Sequence, residues 1–413
     1  MDKLLKDLGP VCAIIGAQWG DEGKGKVIDI LAGHYDVIAR ACGGANAGHT
    51  IVVGGKKHVF HLLPAGCLHD GKPVVLGAGM VIHLPTLLEE IDTLKQAGIH
   101  IVERLHLSGS AHIVFDFHKQ VDGAMEERRG DNKIGTTKRG IGPAYMEKAA
   151  RSGVRLNALR RLDERGLKDM LESKAKELKA MYGVDVDVKT ECDQMHAAAA
   201  LLHNRIVDAP QFLSAMLTSK RSILIEGAQA TLLDIDHGTY PFVTSSATTV
   251  AGALQGLGLP PSALTGSVGV AKAYCTRVGS GDFLTEAEPA VGDRLRERGG
   301  EYGATTGRPR RCGWLDISDL RYAAMLNGFT CWNITKLDVL DEEDSIPVAI
   351  GRNSDEQPAY ESLPGWKTST FRAQSYKALP EAAKRYVEFI ETQTAIPVRL
   401  VGTGPGREDM IVR

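Results

Sequence analysis

The chain has little of what marks several protein classes. Its seven cysteines form no C-x-x-C pair and are irregularly spaced, which argues against a disulfide framework or a zinc site and for a reducing compartment. Neither sign of charge predominates: 49 Lys and Arg stand against 51 Asp and Glu, for a net charge of -2. Without a basic field, binding to nucleic acid is not expected. The uncharged stretch 239–271 is interrupted by Pro260 and Pro261 and is rich in Ser, Thr and Gly, so it does not read as a membrane span. The opening residues MDKLLKDLGP lack the apolar core and cleavage site of a signal peptide. The expectation is a cytoplasmic protein with no membrane partner. No internal repeat or low-complexity linker divides the chain, and 43% hydrophobic with 24% charged residues is the balance of a globular protein with a sizeable core.

Glycine is abundant, 46 of 413 residues, about 11% against a usual ~7%. The apolar run VCAIIG (11–16) reads as a buried parallel strand, GAQWGDEGKGK (16–26) as a glycine-rich loop, and KVIDILAG (26–33) as a helix stopped by Gly33. Strand, glycine loop and helix together make a phosphate-binding unit. YDVIARACGG (35–44) reads as the next strand and leads into a second glycine-rich loop, GGANAGHT (43–50). β and α patterns alternate beyond it. The fold class expected is α/β: a large, open, mostly parallel sheet covered by helices, P-loop NTPase-like with insertions. One elaborated domain, 1–413, is expected. Its charged, Leu- and Ala-rich part at about 156–208 reads as a helical insertion on the surface of the sheet.

Six segments carry candidate chemistry. Gly20, Gly25 and Lys26 match the start of a Walker A loop, but Val27 stands where Ser or Thr would hold magnesium. Lys24 and Lys26 add positive charge. Asp21 and Glu22 are two carboxylates inside a phosphate cradle, where they would repel the ligand unless one binds a metal or removes a proton. Asn46 and His49 follow the next strand and should face Asp21, because neighbouring parallel strands share one crevice at their carboxyl ends. KIGTTKRGIGPAY (133–145) suits a second phosphate group. The segment 225–246 places Glu226, Gln229 and Thr244 after a buried strand, and Gln can read a purine edge. Thr305 and Thr306 with Arg308, Arg310 and Arg311 form a fork for carboxylate or phosphate. Finally, TKLD (335–338) is a weak tetrapeptide alone, but beside a phosphate loop it reads guanine. A buried carboxylate that accepts from N1–H and the amino group would stay unpaired against adenine.

In this order GAQWGDEGKGK, GGANAGHT, GTTKRGIGPAY, EGAQATLLDIDHGTYPFVTSS, ATTGRPRRCGWLD and TKLDVLD closely resemble the adenylosuccinate synthetase family, over almost the whole chain. The resemblance implies a GTP-dependent carbon–nitrogen ligase. It would make adenylosuccinate from IMP and L-aspartate with Mg2+, through a 6-phosphoryl-IMP intermediate, in AMP synthesis. It implies Asp21 as general base and His49 as acid, with Asp21 and the Gly48 carbonyl holding Mg2+. It implies GTP contacts at Gly20, Glu22, Gly23, Lys24, Gly25, Lys26, Gly48, His49, Thr50 and Arg310, and guanine contacts at Lys336, Leu337, Asp338, Gly402, Thr403 and Gly404. IMP contacts are implied at Asp21, Glu22, Lys24, Asn46, Ala47, Gly48, His49, Thr137, Gln229, Thr244 and Arg308. Aspartate contacts are implied at Ala304, Thr305, Thr306, Gly307, Arg308 and Arg310. Arg151 matches an arginine that reaches the IMP phosphate of a neighbouring subunit, which implies a homodimer. Gly402 departs from the family's usual Ser, so a contact there must use backbone. Two other readings remain: a GTP-hydrolysing switch, which Val27 opposes, and a non-catalytic nucleotide-binding scaffold, which would not need Asp21 and His49 beside an arginine-rich loop.

Overall fold

In the computed structural model, which describes residues 1–53, 56–161, 163–303 and 307–413, VCAIIG forms the buried strand Val11–Gly16. Alternate residues of this strand enter two different cores: Cys12 and Ile14 one, Val11, Ala13 and Ile15 the other. Val37–Gly43 divides likewise, Ile38 against Val37, Ala39 and Ala41, and Cys331–Thr335 divides Cys331 from Trp332 and Ile334. A period of two with both faces apolar is what a strand covered by helices on each side requires.

Across the main sheet the strands run Met410–Val412, Val398–Gly402, Cys331–Thr335, Gly266–Lys272, Val11–Gly16, Ile223–Glu226, Val37–Gly43, Val74–His83, Leu105–Ser108 and Ile206–Val207. His112–Val114 pairs beside Val74–His83. All these pairings are parallel except that of Met410–Val412. One expectation is corrected here. Val11–Gly16 and Val37–Gly43 are not neighbours, because Ile223–Glu226 pairs with both and lies between them. The loops that follow the three strands still leave the same edge of the sheet, since parallel strands end together.

The segment 156–208 contains the helices Glu164–Tyr182 and Val188–Leu202. They pack mainly on each other and on the helices Asp116–Arg128 and Leu84–Gln96, rather than on the sheet itself. The sheet face is already covered, so the apolar stripe of Leu167 and Leu171 is buried one layer further out. The segment then rejoins the sheet, contributing Ile206–Val207 as an edge strand on Leu105–Ser108.

Candidate active site

The first loop leads from Gly16 into the helix Lys24–Ala32, whose amino end carries the positive pole of its dipole. Gly20 and Gly23 have φ of 87° and 86°, and Asp21 itself sits in the left-handed region at 59°. A side chain at Gly16 is excluded: its Cβ would lie 2.6 Å from Glu22 Oε2 and 2.7 Å from the Gln229 carbonyl. The two acids of the loop separate completely. Glu22 is fully buried and accepts from the backbone N–H of Gln18 (3.1 Å) and Gly20 (2.9 Å) and from Lys24 Nζ (2.7 Å). It fastens the loop from inside, so a ligand would meet its backbone. Asp21 keeps 36% of its side chain exposed and pairs with Arg310 at 2.9 Å. Lys26 Nζ donates to the carbonyls of Gly404 (2.7 Å) and Asp409 (2.9 Å). Burial lowers its pKa to about 8, against the opposing pull of Asp338 and Asp409.

The second loop ends as His49 and Thr50 open the strand His49–Val53. A Cβ on Gly25 would stand 3.6 Å from both His49 Cβ and the Thr50 carbonyl, so the two loops touch. The imidazole Nδ1 of His49 lies 2.5 Å from Glu226 Oε1, and the other Glu226 oxygen accepts from Ala65 N–H at 2.8 Å. Burial alone would raise the Glu226 carboxyl. The His49 imidazole, with Arg40 and the Ala65 N–H, more than offsets that and holds it below the ordinary range. A carboxylate on one ring nitrogen fixes the imidazole's orientation and leaves Nε2 for a ligand. Fully buried Arg40 donates to the carbonyls of His61 (2.6 Å) and Gly44 (3.2 Å), and a His61 ring nitrogen meets the Ala47 carbonyl at 2.7 Å. Asn46 folds back to accept from Gly44 N–H at 3.3 Å. Gln229, left-handed at φ 54°, has a buried Oε1 with no hydrogen-bond partner among the described residues, and a Cβ on Gly43 would be 3.1 Å from it.

On the opposite flank, Thr335 Oγ1 donates to the Glu22 carbonyl at 2.7 Å, tying the strand Cys331–Thr335 to the first glycine-rich loop. Lys336 follows at φ 59°; its Nζ donates to the Gly299 carbonyl (2.7 Å) and Glu301 (2.6 Å). Leu337 is buried. Burial raises the Asp338 carboxyl, and its Oδ1 has no hydrogen-bond partner among the described residues, as a carboxylate awaiting a donor would. Thr403 N–H donates to the Asp409 carbonyl at 3.1 Å. A Cβ on Gly402 would stand 3.1 Å from Lys26 Nζ, so the small residue there leaves room for the lysine to reach Gly404.

The remaining sequence candidates are less concentrated. A Cβ on Gly135 would lie 3.3 Å from Arg308 Nη1, so the loop of Thr137 borders the loop of Arg308. Both side chains are exposed. Thr244 N–H donates to the Leu233 carbonyl at 2.9 Å. Gly307 is left-handed at φ 64°, while Ala304, Thr305 and Thr306 lie outside the described residues. Arg151 caps the helix Ile141–Ala150 at φ 64° and is exposed, and no hydrogen bond or ion pair among the described residues joins its side chain to the cleft. Sequence reasoning gave Glu226 no role and passed over Arg40, Lys272 and Glu301. Their signal, a charge inside or at the end of an apolar run, is present but unspecific.

Asp21 and the Gly48 carbonyl are hard oxygen donors. Magnesium suits them, since it takes few protein ligands and completes its shell with phosphate and water. No group of three or more His, Cys, Asp or Glu that could hold a metal by itself occurs among the described residues, and no described helix is long and apolar enough to cross a membrane.

A family model described as adenylosuccinate synthetase matches residues 13–411. The chloroplastic adenylosuccinate synthetase of Ostreococcus tauri is 47% identical over 100% of this chain and 89% of its own length. That of Schizosaccharomyces pombe is 44% identical over 98% of this chain and 96% of its own. The structure of the fully ligated adenylosuccinate synthetase from Plasmodium falciparum, 45% identical, matches with a TM-score of 0.94 over 98% of this chain and 100% of that one. Matched by that family model over 13–411 and by relatives 44–47% identical along nearly their whole length, this chain belongs to the adenylosuccinate synthetase family.

Proposed function

We propose that this chain joins IMP to L-aspartate at the expense of GTP, and that Asp21 and His49 carry the chemistry. The observation that supports this most is their placement. Each is held by its own partner, His49 by Glu226 and Asp21 by Arg310, and they follow strands separated by Ile223–Glu226, on two loops in contact. A switch would need neither the imidazole nor the arginine on its carboxylate.

The 6-oxygen of IMP is a poor leaving group. Asp21 takes the N1 proton, and electron density moves onto O6. O6 then attacks the γ-phosphorus of GTP as the bond to the β-phosphate oxygen breaks, and GDP departs. The backbone N–H groups of 20–26 and Lys26 meet the phosphate charge, and His49 Nε2 donates to the transferring group. The aspartate amine attacks C6, loses a proton and expels inorganic phosphate. Mg2+ on Asp21 and Gly48 would supply further neutralisation of phosphate charge. Asn46, Gln229, Thr137, Thr244 and Arg308 would hold IMP. The segment 304–310 would hold the aspartate carboxylates, and Asp338 would select guanine.

Two further elements belong to the proposal. Arg151, exposed and without an ion partner among the described residues, would serve the IMP phosphate of a second subunit in a homodimer. The chain would act as one domain, since the helices of 164–202 share their core with the strand Val11–Gly16. The test is multiple-turnover GTP consumption with IMP or aspartate left out in turn. Consumption that requires both is expected; steady hydrolysis without either would refute the proposal.

A further inference from the structure

Glu301 follows the helix Pro289–Gly299 and is fully buried. Its carboxylate gathers four donors: Lys272 Nζ at 2.9 Å from each oxygen, the Tyr274 hydroxyl at 2.5 Å, Arg310 Nη1 at 2.6 Å and Lys336 Nζ at 2.6 Å. Burial alone would raise its pKa. Lys272, then Lys336 and Arg310, overcome this and keep it charged, well below the ordinary carboxylate range. Lys272, itself fully buried, is enough to neutralise it. The other two cations come from elements with separate tasks. Lys336 opens the loop of Asp338 from a left-handed backbone, and the far edge of the Arg310 guanidinium faces Asp21.

We propose that Glu301 is a positioning residue that couples guanine recognition to the arginine shared by Asp21 and the aspartate substrate. This rests on the function proposed above. One carboxylate satisfies both cations when the guanine loop and the arginine loop stand at a set separation. A guanine that seats the Lys336 loop therefore also sets Arg310, and the two substrates' affinities become linked. Among the described hydrogen bonds, Glu301 is what Lys336 and Arg310 have in common.

The test is a double-mutant cycle on the full-length protein, reading KM for GTP, aspartate and IMP. Glu301→Gln should raise KM for GTP and for aspartate together by roughly tenfold or more, the scale of lost charge-assisted hydrogen bonds, and KM for IMP by less than about twofold. Lys336→Met should raise KM for aspartate as well as for GTP, and should add nothing to KM for aspartate in the Glu301→Gln background. Additive effects, or an aspartate KM untouched by Lys336→Met, would overturn the proposal. Because Glu301→Gln strands the Lys272 charge, the pair Lys272→Met with Glu301→Gln is measured beside it. Tm should return toward the parent value while both KM values stay raised. Recovery of KM together with Tm would reduce Glu301 to a structural counter-ion. The omission assay on the unmutated protein reads the proposed function separately from these ratios.

Discussion

The two flanks of the cleft hold their reactive groups in contrasting ways. On one, His49 is one-tenth exposed and meets a single buried carboxylate, Glu226, that is itself pinned by a backbone N–H. On the other, Asp21 is about one-third exposed and belongs to a charge network through Arg310, Glu301, Lys272 and Lys336. The first arrangement fixes one orientation of one ring. The second leaves the carboxylate on a partner that a ligand can compete for. The proposed roles match this contrast: an acid that must donate along one direction needs the former, and a base that must release a cation before reacting needs the latter.

The sharpest way to break the contrast is Asp21→Ala. Turnover should fall by roughly 10²–10⁴-fold while IMP and GTP still bind, by titration calorimetry of each ligand. Retained turnover would remove Asp21 from the chemistry. Glu226→Gln should lower kcat by roughly 10- to 100-fold with little change in KM, the scale seen when an orienting partner of a functional histidine is lost. A change confined to KM would mean that Glu226 shapes a binding surface and does not aim the ring. Asp338→Asn should cut the GTP-over-ATP ratio of kcat/KM by roughly tenfold, since the mismatch with adenine is relieved as the match with guanine is lost. An unchanged ratio would place guanine elsewhere.

The smallest effect concerns Lys26, whose folded-state pKa is lowered to about 8. The protonated amine attracts triphosphate, so KM for GTP should be flat below pH 7 and rise a few-fold as pH passes through about 8. For stability the sign is opposite. A buried lysine whose charged form is disfavoured in the fold binds fewer protons there than when unfolded, so this group's contribution grows as pH rises toward the unfolded value near 10.5. A GTP KM that stays level to pH 9.5 would contradict the buried environment of Lys26.

The strand–loop–helix unit was legible because it is local: a short apolar run, turn-forming glycines and a helical period in immediate succession. Strand order was not. Val11–Gly16, Val37–Gly43 and Ile223–Glu226 are similarly apolar, and succession in sequence suggested that the first two were neighbours. With the third strand unplaced, Glu226 had no visible partner. Glu301 was hidden for the same reason, since its cations arrive from three separate strands or loops. Asp21 and Glu22 looked equivalent until the left-handed backbone at Asp21 sent one side chain toward Arg310 and the other inward. The helix Glu381–Thr394 was readable but went unread: Ala383, Tyr386, Val387 and Ile390 mark its buried face at helical spacing.

Asp21, Gln229 and Lys336 share the backbone conformation that glycine adopts most easily, at φ 59°, 54° and 59°. Each such turn costs an L-residue roughly 1–2 kcal/mol, less for Asp. Glycine at Gln229 should therefore relax the chain locally, and a screen that rewards heat resistance alone would drift toward that replacement, whereas at Lys336 it would also strip donors from the Gly299 carbonyl and the buried Glu301. The enzyme such a screen delivered would survive a higher temperature without the amide proposed to hold IMP.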